Sequence, residues 1–272
     1  MRRILLGLVL ALTVAGAARQ PGPPPLDLPP ITAAALAERY AVNGPGRQFL
    51  AIDRSGDGRA IEVVGDLAAA ATVIVFVPGT GYGLREFDDG SAAPGGAARA
   101  LYERARALAP GTSVAVIGWL GYDAPEMTNP SVATTVPADE GAEALRTLVG
   151  ALRGKERIAL VCHSYGSVVC GRAAPGLPVA DIVALGSPGM GVPALAELRT
   201  PARVWATLAA RDDVFRPGLL LGPIGFGADP NLPGFGARRF DGGSGGHTGY
   251  LRPGPVLDRI TTIALTGAIS SP

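Results

Sequence analysis

RIALVCHSYGSVVCGRAA, residues 157–174, runs from an apolar stretch through a sharp turn at Ser164 into a helix. That setting suits a nucleophilic serine: strand and helix backbones pass close together, and glycines two residues before and two after the serine usually permit the approach. Here Gly166 fills the second position, while Cys162 stands at the first. An unbroken G-x-S-x-G does occur around Ser244 in FDGGSGGHTGY (240–250), but with no strand before it and no helix after it. Ser164 is therefore the expected nucleophile, and Ser244 a loop serine that satisfies the pattern by composition. The cysteine at 162 is expected to be accommodated by a modest shift of the backbone.

A regular rhythm surrounds the stretch. TVIVFVP (72–78), TSVAVIGW (112–119), RIALVC (157–162), ADIVALG (180–186) and ARVWATLA (202–209) are near-continuous apolar runs, as expected of strands covered on both faces. Amphipathic segments alternate with them: GAARALYERARALA (96–109), DEGAEALRTLVGALRG (139–154), YGSVVCGRAA (165–174) and PVLDRITTIALTG (255–267). The alternation predicts an α/β fold with a mostly parallel, doubly wound sheet flanked by helices. Before it, Thr32 caps a short helix over AAALAERYA (33–41), and RQFLAID (47–53) and AIEVV (60–64) form a hairpin around RSGDGR (54–59). Ligands of such a sheet bind at the carboxyl ends of its strands.

Several chemistries fall away. VPGTGYG (77–83) follows a strand, but the third glycine of a dinucleotide fingerprint would be Leu84, and the next strand ends in Trp119 rather than an acid. No Walker-type phosphate loop exists, and 24 basic against 23 acidic residues leave a net charge of +1, so nucleic acid is not an expected partner. The Asp53-x-Ser55-x-Asp57-Gly58 spacing resembles a calcium loop, but its twelfth position is Val64, so a plain turn is expected there, and neither metal nor cofactor is called for.

A serine hydrolase requires Ser, acid and His in that order at three strand ends. The chain has two histidines; His163 adjoins Ser164 and points elsewhere, which leaves His247 as the base. VWATLAARDDVF (204–215) offers Asp212 as the acid, with Asp213 the near alternative. The oxyanion would be received by the backbone N–H groups of Tyr165 and Thr80, with Gly79 and Gly81 letting that loop approach the substrate. Only SPGMGVPALAELRT (187–200) separates two successive strands where a lid could be inserted, so no separate lid domain is expected. Loops must then shape the pocket, with Gly79, Gly81, Tyr82, Trp119, Tyr122 and Asp123 as candidate substrate-binding residues, although a Trp at a strand end more often belongs to the core.

As a set, VPGTG (77–81), WLGYDAP (119–125), CHSYGS (162–167), LGSPGMGV (185–192), FGARRF (235–240) and GHTGY (246–250) resemble an α/β-hydrolase family common in actinobacteria and long labelled as of unknown function. The likeness covers about residues 45 to 265 and implies an α/β-hydrolase fold with a triad on Ser164, Asp212 and His247; it implies no substrate.

At the N-terminus, two arginines, an apolar run from Ile4 to about Ala17 and the small-residue Ala15-Gly16-Ala17 pattern read as a secretory signal peptide over residues 1–17. The run falls short of the roughly 20 residues that span a bilayer, so no membrane span is expected once it is cleaved. RQPGPPPLDLPP (19–30) is too proline-rich to pack and makes 18–30 an extended, flexible lead-in, with the hydrolase domain over 31–272. Cys162 and Cys170 are expected as two buried free thiols, one at a strand end and one about two turns into the helix, poorly placed for a bridge. The expected function is that of an exported serine hydrolase, secreted or held at the envelope, acting on small-molecule acyl esters through an acyl-enzyme. Acyl transfer or amide cleavage would use the same residues, and a non-catalytic binding protein is the alternative from another class.

Overall fold

The computed structural model describes residues 23–42, 46–214, 218, 220–222 and 224–269, so the signal-peptide reading lies outside the described residues. The described residues hold ten strands: β1 (Gln48–Asp53), β2 (Arg59–Val64), β3 (Thr72–Val77), β4 (Val114–Leu120), β5 (Arg157–His163), β6 (Asp181–Leu185), β7 (Arg203–Thr207), β8 (Leu220–Leu221), β9 (Ile224–Gly225) and β10 (Arg238–Arg239). Eight of them form one sheet in the order β1-β2-β4-β3-β5-β6-β7-β10. β1, β2 and β4 pair antiparallel; from β4 to β10 every neighbour is parallel. This is the α/β-hydrolase fold, with no domain inserted between β6 and β7.

Alternate residues of each central strand explain why the runs are apolar throughout. Val73, Val75 and Val77 face one core, and Ile74 and Phe76 face the other. The first core is closed by helices α1 (Ala33–Val42), α3 (Val136–Ala151) and α4 (Gly166–Ala173), and the second by α2 (Pro94–Leu108) and α5 (Pro255–Thr266). Each strand is thus buried on both faces. α1 begins where Thr32 predicts, since the Thr32 hydroxyl accepts the Ala35 amide at 3.3 Å.

At the amino ends of β5, β6 and β7 the fully buried carboxylate of Asp181 gathers three donors. Arg203 binds it at 2.8 and 2.9 Å and the Trp205 indole at 2.8 Å, while Arg157 bonds it and also reaches the Ala264 carbonyl at 2.8 Å near the end of α5. A buried charge needs such partners to be tolerated.

Three expectations are corrected. The described part of the proline-rich segment lies on the body: Leu26 and Leu28 pack on the first core, Pro29 is buried, and Asp27 pairs with Arg39 at 2.6 Å. Leucines spaced among the prolines anchor what the prolines merely extend, so packing begins before residue 31. Trp119 and Tyr122 are buried, at 0% and 3% exposure, and stack on each other 5.5 Å apart within that core. Neither is open to a substrate. Cys162 and Cys170 are joined in a disulfide. α4 turns back over the end of β5, which brings their Cα atoms to 6.5 Å, inside the range a bridge spans.

Among its described residues, the Gly- and Pro-rich stretch 215–246 also holds three two-residue strands. β8 and β9 form a small hairpin, and β10 extends the sheet beside β7. In the hairpin of β1 and β2, the Asp53 carboxylate accepts from the Ser55 amide and hydroxyl and from Arg59, and the Ser55 hydroxyl and Arg59 hold it down at about 2.

Candidate active site

Ser164 stands between β5 and α4 with φ of 53°, a left-handed conformation rare for a residue with a side chain. The surroundings over-determine it. Its amide bonds the Leu185 carbonyl at 2.9 Å, and its carbonyl accepts the buried Ser167 hydroxyl at 2.6 Å. Ser167 is tied in turn to Ser187 at 2.6 Å. Close crossing leaves no room for side chains at two neighbours: a Cβ on Gly166 would lie 2.4 Å from the Pro78 carbonyl, and one on Gly79 would lie 2.7 Å from Ser164 Cβ.

From Ser164 a line of hydrogen bonds runs to the end of β7. His247 Nε2 is 2.8 Å from Ser164 Oγ, and His247 Nδ1 is 3.0 and 3.1 Å from the Asp212 carboxylate oxygens. The tautomer that satisfies this line has Nδ1–H donating to Asp212 and Nε2 accepting from Ser164. Of the two aspartates, Asp212 faces the imidazole with its side chain fully buried, while Asp213 is exposed.

Asp212 is itself held from two further sides. Oδ1 accepts the Val214 amide at 3.0 Å, and Oδ2 accepts the Tyr250 hydroxyl, which accepts the Ala209 amide at 3.0 Å. Burial alone would push the Asp212 carboxyl up, but the hydrogen bonds from Tyr250, Val214 and His247 outweigh it and keep the group below its ordinary value. It is therefore a carboxylate at neutral pH. Tyr250 was absent from the residues singled out in the sequence; its only signal was its place in GHTGY, three residues after the histidine.

His163 also has a place that its neighbourhood to Ser164 did not reveal. Its ring is buried, 4.6 Å from the His247 ring, and its Nε2–H donates to the His247 carbonyl at 2.7 Å. Burial, with the nearby His247, lowers it to about 4, so it is neutral and grips the backbone of the residue that carries the imidazole. Gly186 lets these groups close up. At φ of 54° it passes so near that a Cβ would sit 2.4 Å from Asp212 Oδ2 and 3.0 Å from His247 Nδ1.

On the other side of Ser164 lies the loop after β3. Among the described residues, the amides of Thr80 and Tyr165 donate to no protein acceptor. Gly81, with φ of 72°, bonds the Pro125 carbonyl at 3.2 Å, and the Thr80 hydroxyl bonds the Met127 sulfur at 3.2 Å, so the 124–127 loop braces this wall. Met127 is 71% exposed at the rim. Tyr165 faces inward, its hydroxyl on the Thr134 carbonyl at 2.6 Å and its ring edge-on to Phe226. Tyr82 is half-buried and packs on the first core. Asp123 belongs elsewhere: it lines a groove with Pro23, Pro24, Pro25, Arg59 and Glu143, which none of Ser164, Asp212 or His247 enters, so its expected contact with substrate is corrected.

A hydroxyl hydrogen-bonded to an imidazole, an imidazole fixed by a carboxylate, and two backbone amides with no acceptor among the described residues form an arrangement able to perform acyl transfer. Residues 53–221 match a family model described as alpha/beta hydrolase. An uncharacterized protein of Mycobacterium tuberculosis is 31% identical over 218 residues, which cover 68% of this chain; the chain spans 32% of that relative's length. An uncharacterized protein of Mycobacterium bovis is 29% identical over 236 residues, 82% of this chain and 85% of its own. Among solved structures, a serine hydrolase involved in carbazole degradation is similar with a TM-score of 0.50 at 11% identity, over 82% of this chain and 99% of that one. At that identity the likeness concerns the fold alone.

Proposed function

The chain belongs to this alpha/beta hydrolase family, and from that premise we propose that it is an exported serine hydrolase that cleaves carboxylic esters through an acyl-enzyme. The observation that carries the reading is the unbroken line from Ser164 Oγ through His247 to Asp212, at 2.8 and 3.0 Å. In this reading Ser164 Oγ attacks the ester carbonyl carbon as its proton passes to His247 Nε2. The oxygen that gains the charge is received by the N–H groups of Thr80 and Tyr165. His247 then gives its proton to the departing alkoxide, leaving the acyl group on Ser164. Water, deprotonated by His247, attacks that acyl carbon; the acid leaves and Ser164 recovers its proton. Asp212 orients the ring and stabilises the imidazolium throughout.

Export is part of the proposal. The N-terminal pattern of residues 1–17 supports it, and so does the Cys162–Cys170 bridge, since disulfides persist in oxidising compartments. Among the described residues no helix is long and apolar enough to cross a membrane.

The test uses a fluorophosphonate probe and a panel of esters of increasing acyl length. The purified protein should be labelled at Ser164 and should turn over at least one ester, with His247→Ala losing both properties. Equal, slow turnover of every ester by the wild type and His247→Ala would remove the triad from the account.

A further inference from the structure

An elbow with glycines on both sides lets strand and helix approach closely without a side chain between them. This one has glycine on one side only. At the other, Cys162 projects from β5 into α4 and is bonded there to Cys170, eight residues on. The covalent ring so closed contains both groups that the proposed reaction uses at the elbow, Ser164 Oγ and the Tyr165 N–H. Asp212 lies outside it, held by Tyr250 and Val214, and it in turn orients the His247 imidazole; the His247 backbone carbonyl is tied to the ring through His163.

The bridge sits in a tightly packed place. Both cysteines are fully buried, and beside them Gly171 packs so closely on the 189–191 loop that a Cβ would fall 2.0 Å from the Met190 carbonyl. Two unbonded thiols need more room than a bonded pair of sulfurs, so opening the bond overpacks the space between β5 and α4. Helix and strand must then part, and the segment between them shifts the nucleophile relative to the Asp212 carboxylate and the imidazole it orients, which are anchored outside the ring by Val214 and Tyr250. A misplacement of about 1 Å is enough to cost on the order of a hundredfold in rate.

We propose that the Cys162–Cys170 bridge is a positioning element of the nucleophile, and that the hydrolase becomes active when the bridge closes during folding in an oxidising compartment. The inference rests on the serine hydrolase reading. Closure proceeds by exchange with an external disulfide. One cysteine thiolate attacks it and releases a thiol, and the second thiolate displaces the remaining partner from the mixed disulfide. The chain gives up two protons and two electrons, and the external disulfide becomes two thiols. Because the bridge is buried, its state is set as the chain folds and does not follow later changes of redox poise.

The experiment compares full-length protein produced in an oxidising and in a reducing host compartment, with bridge status counted by thiol titration in denaturant and folding checked by circular dichroism and thermal unfolding. Fluorophosphonate labelling, kcat and KM are measured on both, on Cys162→Ser/Cys170→Ser, and on Cys162→Gly/Cys170→Val, which restores the ordinary elbow glycine. The folded open form should show kcat lower by about a hundredfold, with KM changed by less than about twofold. The Gly/Val protein should have the same kcat whichever compartment made it. A folded open form as active as the closed one overturns the proposal, as does a Gly/Val protein that loses activity in the reducing compartment. If the Ser/Ser protein fails to fold, the wild-type pair and the Gly/Val protein still decide. A closed wild type that no fluorophosphonate labels would instead overturn the hydrolase reading itself, and this proposal with it.

Discussion

Ser164 and Ser244 both stand among glycines, and the glycines serve different ends in the two places. Around Ser164 they permit a strand and a helix to cross: Gly166 and Gly79 touch the Pro78 carbonyl and Ser164 itself. Around Ser244 they permit a loop to run backbone to backbone along the residues that lead to Asp212. A Cβ on Gly242 would meet the Leu208 carbonyl at 2.7 Å, the Gly243 and Gly245 carbonyls accept the amides of Ala210 and Arg211, and the Ser244 carbonyl accepts Arg211 Nε at 2.7 Å. The formally complete pattern is thus the cradle that delivers His247 beside Asp212, and the incomplete one carries the serine proposed as nucleophile. A glycine pattern reports close backbone approach; what approaches decides the chemistry.

The sharpest way to break that contrast is to remove each hydroxyl. Ser164→Ala should abolish fluorophosphonate labelling and lower kcat by about 10³-fold or more, while Ser244→Ala, whose contact is through its carbonyl, should match the wild type in the same ester assay. Labelling that survives in Ser164→Ala would reverse the two roles. Next in size is Gly186→Ala. Its methyl group would collide with Asp212 Oδ2 in a left-handed backbone, and kcat should fall by about a hundredfold while the circular dichroism spectrum stays that of the wild type.

Tyr250→Phe removes one donor to Asp212 and leaves the Ala209 amide without its acceptor. Activity should fall by about tenfold, as one hydrogen bond to a charged group is worth. Losing a donor also disfavours the carboxylate, so Asp212 should take up its proton at higher pH and the acid limb of the kcat/KM profile should move upward. An unshifted limb would mean that Tyr250 supports the fold alone. Smallest in activity, but visible in stability, is His163. Folded, it binds its proton near pH 4, against 6.5 for an unperturbed histidine. The unfolded chain therefore holds more protons between these values, and stability rises with pH across that window, by about 3 kcal/mol at most. His163→Gln should flatten this part of the curve of unfolding midpoint against pH; an unchanged slope would assign it to other groups.

The central strands were legible because burial on both faces confines polar residues to their ends, and His247 because a chain with two histidines, one beside the candidate nucleophile, offers no other candidate base. The bridge was not, since its existence depends on the angle at which α4 folds over β5, and that angle is set by contacts with Pro78 and Met190 from distant segments. Nor were the roles of Tyr250 and His163. Each acts through one hydrogen bond to a group far away in sequence, which no local pattern records. Trp119 and Tyr122 were assigned by their place at a strand end, yet the strand lies inside the sheet and the helices close over both rings. The short strands β8, β9 and β10, of two residues each, carry too few positions for an alternation to register.

The cluster at Asp181 lies at the opposite end of β5, β6 and β7 from the reacting groups. Strands are stiff rods, and these three, about 17 to 23 Å long, bear Ser164, Gly186 and Asp212 at or just past their far ends. Arg157 and Arg203, each fastened to one carboxylate, act as the pivot of a pair of tongs. The gap between the jaws, where Ser164 and Asp212 face one another across His247, is thereby gauged at the handle as well as at the tip.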